Sequence, residues 1–149
     1  MAAVVEHEGR FLLVEEHTPE GLRLNNPAGH LEPGESLAQA CVRETLEETA
    51  TGFTPTALVG VYQAALGDTT YLRFAFCGTL GDFHPERKLD HGIKRTLWMT
   101  PAEIRASTHR HRSPCCCAAW RTTWPGGVSR WTWCTPPHKL LVSRPFFQH

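Results

Sequence analysis

Along most of the chain apolar residues come in short β-type runs, and one segment repeats them at helical spacing. Residues 1–5 (Met-Ala-Ala-Val-Val) and 10–16 (Arg-Phe-Leu-Leu-Val-Glu-Glu) are β-rich and are separated by His7-Glu8-Gly9, which predicts a hairpin. The first run opens at Met1 with no lead-in and is read as a trimmed first strand. Asn25-Asn26-Pro27-Ala28-Gly29 and Glu32-Pro33-Gly34 carry loop chemistry. Residues 57–65 and 71–80 predict two strands around a turn at Gly67-Asp68. Residues 83–92 predict a polar loop containing Pro85, and 95–99 a short strand. Ser36 with Gln39, and Thr100 with Glu103 behind Pro101, are two capping boxes and therefore two helix starts. There is no internal repeat. The order β, β, loop, α, β, β, β, α predicts a mixed α/β domain with a largely antiparallel sheet flanked by helices.

The first helix is expected to run from Ser36 to about Thr49, where Ala50-Thr51-Gly52 ends the periodicity. Leu37, Ala40 and Cys41 form a stripe that continues into Glu44, Glu47 and Glu48, while Val42 and Leu46 lie on roughly the opposite side. Three like charges at i, i+3 and i+4 repel by about 0.2–0.5 kcal/mol per pair, and the negative end of the helix dipole adds to the cost. Arg43 relieves part of it. A solvated acidic face is the plain reading of such a run. A bound divalent cation is the alternative, because it converts repulsion into shared ligation, and a carboxylate-only set suits Mg²⁺ held together with substrate phosphates. Zinc would call for imidazole or thiolate, and this helix offers only Cys41.

The segment Gly29-His-Leu-Glu-Pro-Gly-Glu35, seven residues, then Arg43-Glu44-Thr-Leu-Glu47-Glu48 resembles the Nudix box of the MutT-type hydrolases at every charged position and at Gly29. Thr45, Ala50 and Thr51 depart from it where the family has an aliphatic residue, a glycine and an aliphatic residue. Glu15-Glu16, residues 26–32, residues 71–74 and residues 89–93 look like the NudJ-type phosphatase branch, and the likeness ends near Pro114. The resemblance implies a Nudix-type α/β/α sandwich. It implies that the Gly29 carbonyl, Glu44, Glu47 and Glu48 hold Mg²⁺ (or Mn²⁺) on a diphosphate. Glu44, Glu47 and Arg43 would form the catalytic group, in which Glu44 helps to deprotonate the attacking water and Arg43 orients the glutamates; Glu35 would support the site by pairing with Arg43 or by tying down the loop before the helix. Glu86 and Asp90 are candidates for a further acid from a distant loop. The implied substrates are nucleoside di- and triphosphates and the pyrimidine diphosphate precursor of thiamine. Tyr62, Tyr71, Arg73 and Phe74 are candidates for a base pocket, against the plain reading of alternating strand residues. A nucleotide-binding module without turnover, or a weakly active damaged enzyme, is the rival reading.

Composition then limits the partners. The chain has 149 residues, formal net charge zero and 41% apolar residues, which suits one domain of residues 1–114 and gives no general attraction to nucleic acid polymers or anionic membranes. No apolar run approaches the length of a membrane span, so a cytoplasmic location is expected; the oligomeric state is left open. All fifteen acidic residues precede Pro114, whereas four of six cysteines and four of five tryptophans follow it. The spacing of those cysteines suits neither zinc nor, in a chain without a signal segment, disulfides. Cysteine and tryptophan codons begin with TG, so in the frame whose codons end on the present second bases they become leucine, valine or methionine. Positions 116, 117, 120 and 124 then acquire apolar residues at helical spacing. Residues 115–149 are therefore expected to be an out-of-frame tail with no function of its own.

Overall fold

The computed structural model describes residues 1–66 and 68–113. The elements are β1 (Ala2–Val4), β2 (Glu6–His7), β3 (Arg10–Thr18), β4 (Gly21–Asn25), α1 (Leu37–Thr49), β5 (Thr51–Leu66), β6 (Thr69–Phe83), β7 (Ile93–Met99) and α2 (Pro101–Ala106), followed by a 3₁₀ turn at Thr108–Arg110. The segment expected to be out of frame lies outside the described residues. None of the helices among the described residues is long and apolar enough to cross a membrane.

The strands form two sheets. In one, β6 lies between β1 and β5; in the other, β3 pairs with β2, β4 and β7. All pairings are antiparallel except β1 with β6, which is parallel. The expected hairpin is thereby divided. Glu6–His7 turns back onto Arg10–Phe11 through Glu8 and Gly9, with φ of 50° and 74°, the positive pair that a tight two-residue loop demands. Residues 2–4 instead lie against Ala75–Cys77. Ala2, Ala3, Val4 and Val5 are apolar on both faces, which suits a strand covered by a layer on each side.

That double burial creates the layers. Ala2 and Val4 pack with Phe11, Leu13, Tyr62 and Ala75 beneath Ile104 of α2, while Ala3 packs with Val5, Leu12 and Phe53 beneath Cys41 of α1. The strands are thus held between two helices, the α/β/α sandwich. Each large side chain in these clusters contributes about 1.5–3 kcal/mol by leaving water. Strand β4 carries Leu22 and Leu24 in alternation, yet Arg23 and the two asparagines after it give the segment a loop-like composition, and the sequence reading passed over it. The β5–β6 hairpin extends beyond the expected 57–65 and 71–80, with register shifts that let two long strands twist together; Pro55 is tolerated because β5 is an edge.

Candidate active site

Helix α1 forms as its sequence indicates. The Ser36 hydroxyl accepts from the Gln39 backbone N–H and the Gln39 side chain accepts from the Ser36 N–H. Ala40, Cys41, Glu44, Thr45, Glu48 and Thr49 are the buried residues, so the apolar stripe does run into the carboxylates. Thr45, where the resembling family has an aliphatic residue, is fully buried and donates its hydroxyl to the Cys41 carbonyl at 2.7 Å. The helix leaves through Ala50 at φ 54°, ψ 23°, a left-handed position where glycine would be unstrained.

Arg43 organises the loop that precedes the helix. Its Nε and Nη2 donate to the two oxygens of Glu35 at 2.7 and 3.0 Å, and Nη2 also donates to the His30 carbonyl at 2.9 Å. Those bonds, with a further one from the Glu32 N–H, hold the Glu35 carboxyl down to about 2. The remaining Nη1 is shared by Glu44 at 2.9 Å and Glu47 at 3.0 Å. One guanidinium therefore hydrogen-bonds three carboxylates, with Glu32 a fourth at 3.9 Å, and the cluster keeps a negative excess. Glu48 is 8% exposed and among the described residues has only the Ala28 N–H, at 2.8 Å from its Oε2. Burial lifts its carboxyl to about 8, opposed by that hydrogen bond and reinforced by the charges of Glu16, Glu44 and Asp90.

Gly29 meets this cluster from the loop side. A Cβ on it would lie 2.0 Å from the Glu44 carboxyl, so the backbone and the carboxylate share a space that only glycine leaves open. The Gly29 carbonyl accepts a hydrogen bond from the Met1 ammonium, and the Gly29 N–H donates to the Met1 carbonyl at 3.1 Å. Among the described residues no three acidic, histidine or cysteine side chains converge as a formed metal group. Glu44 and Glu47 are turned to Arg43, and Glu48 to Ala28. The donor chemistry nevertheless fits a hard divalent cation: an all-oxygen set, a negative excess and a cradle closed to any Cβ.

The other candidates separate. Asp90 donates its backbone N–H to the Glu47 carbonyl at 2.9 Å, and its charge acts on Glu48, so it borders the cluster. Glu86 lies 3.6 Å from His84 on the exposed loop. Tyr62 is 1% exposed and belongs to the core, which removes it from a base pocket. Tyr71 is open to solvent at 45%, and Arg73 donates to Asn25 Oδ1 at 3.0 Å. Tyr71 and Arg73 share one face of β6; Phe74 points to the other, because side chains alternate along a strand.

Two features carried no role in the sequence reading. Arg110 and Arg112, on a strap tied to β4 by the bond from the Arg112 N–H to the Leu24 carbonyl at 2.9 Å, pair with Glu15 and Glu16 of β3. The signal for Glu15-Glu16 was there to be read: two adjacent acids closing a buried apolar strand need partners from elsewhere.

A sandwich of this architecture, with the loop–helix site at its first helix, defines a class of hydrolase. Residues 1–116 match the NUDIX domain model, and the chain belongs to the Nudix hydrolase family. Phosphatase NudJ of Escherichia coli (strain K12) is 37% identical over 115 residues, 76% of this chain and 74% of that protein. A solved NUDIX hydrolase from Nitrosomonas europaea is 48% identical with a TM-score of 0.79, covering 87% of this chain and 88% of its own. The E. coli ORF135 protein, at 23% identity and TM-score 0.64 over 82% of this chain and 84% of its own, shares the fold. Nudix hydrolases act on small diphosphate substrates and generally use divalent metal ions.

Proposed function

We propose that this chain catalyses Mg²⁺-dependent hydrolysis of a phosphoanhydride bond in a small diphosphate, either a nucleoside di- or triphosphate or the pyrimidine diphosphate precursor of thiamine. The observation that carries the reading is the packing of Gly29 directly against Glu44 while Arg43 braces Glu35, Glu44 and Glu47. In this reading the Gly29 carbonyl, Glu44, Glu47 and Glu48 hold the ion, with Mn²⁺ as an alternative. Bound there, the ion neutralises charge on the phosphate oxygens and acidifies water.

The protein's own groups do the rest. Arg43 fixes the loop against the helix, so that the carbonyl and the carboxylates stay in register without substrate to align them. Glu44 takes the proton of the attacking water as its oxygen bonds to phosphorus and the bridging anhydride bond breaks, releasing a phosphate or phosphomonoester. Glu48 holds a proton in the cation-free state and must release it to serve as a ligand, which ties cation affinity to pH. Tyr71 and Arg73, on one face of β6, are proposed to meet the organic part of the substrate and its phosphate; Phe74 is left to packing.

The test is phosphate release from a panel of nucleoside and pyrimidine diphosphates, with and without Mg²⁺, for the full chain and for Glu44→Gln. Release that needs Mg²⁺ and is lost in the variant supports the reading. Thermal stabilisation by Mg²⁺ plus nucleotide with no release from any substrate would refute it.

A further inference from the structure

Glu15 and Glu16 are neighbours at the end of β3, and the structure treats them differently. Glu15 is 1% exposed, and Arg95, Arg110 and Lys94 surround its two oxygens. Glu16 is 6% exposed and, among the described residues, has one cation: Arg112 takes Oε2, and Oε1 is buried with no hydrogen-bond partner among them. A buried carboxylate oxygen without a donor is among the costliest groups a fold can keep, since it has lost water and gained nothing.

What lies near it is the glutamate helix. Cys41, which packs with Leu12 of β3, precedes Glu44 and Glu48 by one and two turns on the buried side of α1. Side chains alternate along β3. Leu12 belongs to the cluster beneath α1, and Glu16, four residues on, shares its face, whereas Glu15 shares the face of Phe11 and Leu13 beneath α2. Leftover negative charge and an orphaned oxygen thus meet on the α1 side. A second orphaned oxygen, Asn26 Oδ1, occurs in the loop two residues before the Ala28 N–H that holds Glu48. A hydrophobic or purely structural role leaves these oxygens unexplained; a hard cation with its waters accounts for them.

We propose that Glu16 is a further carboxylate of the cation site, adding its free Oε1 to the oxygens of Glu44 and Glu48 for a divalent ion. Arg112 holds the other oxygen and so aims the carboxylate. The inference rests on the cation site proposed above and extends it to β3 and to the strap at residues 110–113. That strap is therefore tied to the chemistry even though it lies far from the box in sequence.

The experiment is Mn²⁺ binding to the full chain without substrate, read as the free-Mn²⁺ electron paramagnetic resonance signal, for wild type, Glu16→Gln, Arg112→Met and Glu44→Gln. The expected result is at least a tenfold weaker Kd for Glu16→Gln and a smaller weakening, about three- to fivefold, for Arg112→Met, which keeps the carboxylate but no longer aims it. If Glu16 only anchors the strap, both variants lower Tm alike and bind Mn²⁺ within twofold of wild type, which overturns the proposal. Should Glu16→Gln not fold, Glu16→Asp replaces it: the charge stays but the oxygen retreats by one methylene, and unchanged affinity again overturns the proposal. Loss of binding in Glu44→Gln alone would defeat this inference and leave the main site standing, whereas unchanged binding in both would defeat the main site as well.

Discussion

Glu15 and Glu48 are both buried glutamates, at 1% and 8% exposure, and they have opposite surroundings. Glu15 lies among arginines, and the hydrogen bond from Arg95 leads the influences that hold its carboxyl below the usual range. Glu48 lies among acids with a single N–H, and burial pushes it up to about 8. The first arrangement is complete without any other molecule, as befits an anchor between β3, β7 and the strap. The second is incomplete, the arrangement expected of a carboxyl that waits for a ligand. The difference separates an ion pair that holds the fold from the carboxylate proposed as a cation ligand, which burial alone does not do.

The sharpest test of this comparison is to neutralise each acid. Glu48→Gln is expected to fold normally and to lower turnover by about 10³-fold, in line with losing one preorganised electrostatic group. Wild-type turnover in this variant would remove Glu48 from the mechanism. Next comes Gly29→Ala, whose methyl must displace the Glu44 carboxyl. Because that carboxyl is the free end of a flexible side chain, Tm should hold while kcat/KM falls roughly 10–100-fold for a misplaced group. Equal loss of stability and activity would mean that the contact is merely packing.

The converse change, Glu15→Gln, is expected to cost about 2 kcal/mol of stability, the scale of charged hydrogen bonds lost, with turnover per folded molecule unchanged. Urea unfolding and a specific-activity assay read the two together. Acidity should separate the pair further. Glu48 holds its proton more tightly folded than unfolded, so its contribution is lost as pH rises from the ordinary carboxylate range through about 8. Glu15 is depressed, so its contribution is present at neutral pH and is lost as pH falls through its lowered value. For the cation-free protein, Tm is expected to drop by about 5 °C between pH 5 and pH 8, and Glu48→Gln to remove most of that slope. Glu15→Gln should leave it intact. The smallest effect belongs to Thr45→Val, which exchanges a hydroxyl bonded back to the Cys41 carbonyl for an apolar group in a fully buried space; denaturation should show a gain of less than about 1 kcal/mol.

Much of the site could be read from the sequence because its parts are local. The capping boxes at Ser36 and Thr100 join residues three apart, and the stripe from Ala40 to Glu48 follows from helical geometry alone. The spacing from Gly29 to Glu35 and Arg43 is short enough for one loop and one helix to satisfy it. The hairpin turn at Glu8-Gly9 was legible for the same reason, but the partner of residues 2–4 was not: any strand of the right polarity satisfies a short apolar run, and only competition among all strands selected β6.

What the sequence determined by itself, then, is where α1 begins and ends and that its buried side runs from Ala40 and Cys41 into Glu44 and Glu48; Glu47 is only partly buried, and the inward-facing Thr45 and Thr49 lay outside the expected stripe. Tertiary structure decided how those equal carboxylates become unequal. Arg43 reaches Glu44 and Glu47 but leaves Glu48 to Ala28, twenty residues away, and arginines some 95 residues distant choose between Glu15 and Glu16. The physical reason is range. Helix geometry and caps act within one turn of chain, whereas the character of a buried charge is set by whatever dipoles and ions the whole fold brings within a few ångströms of it.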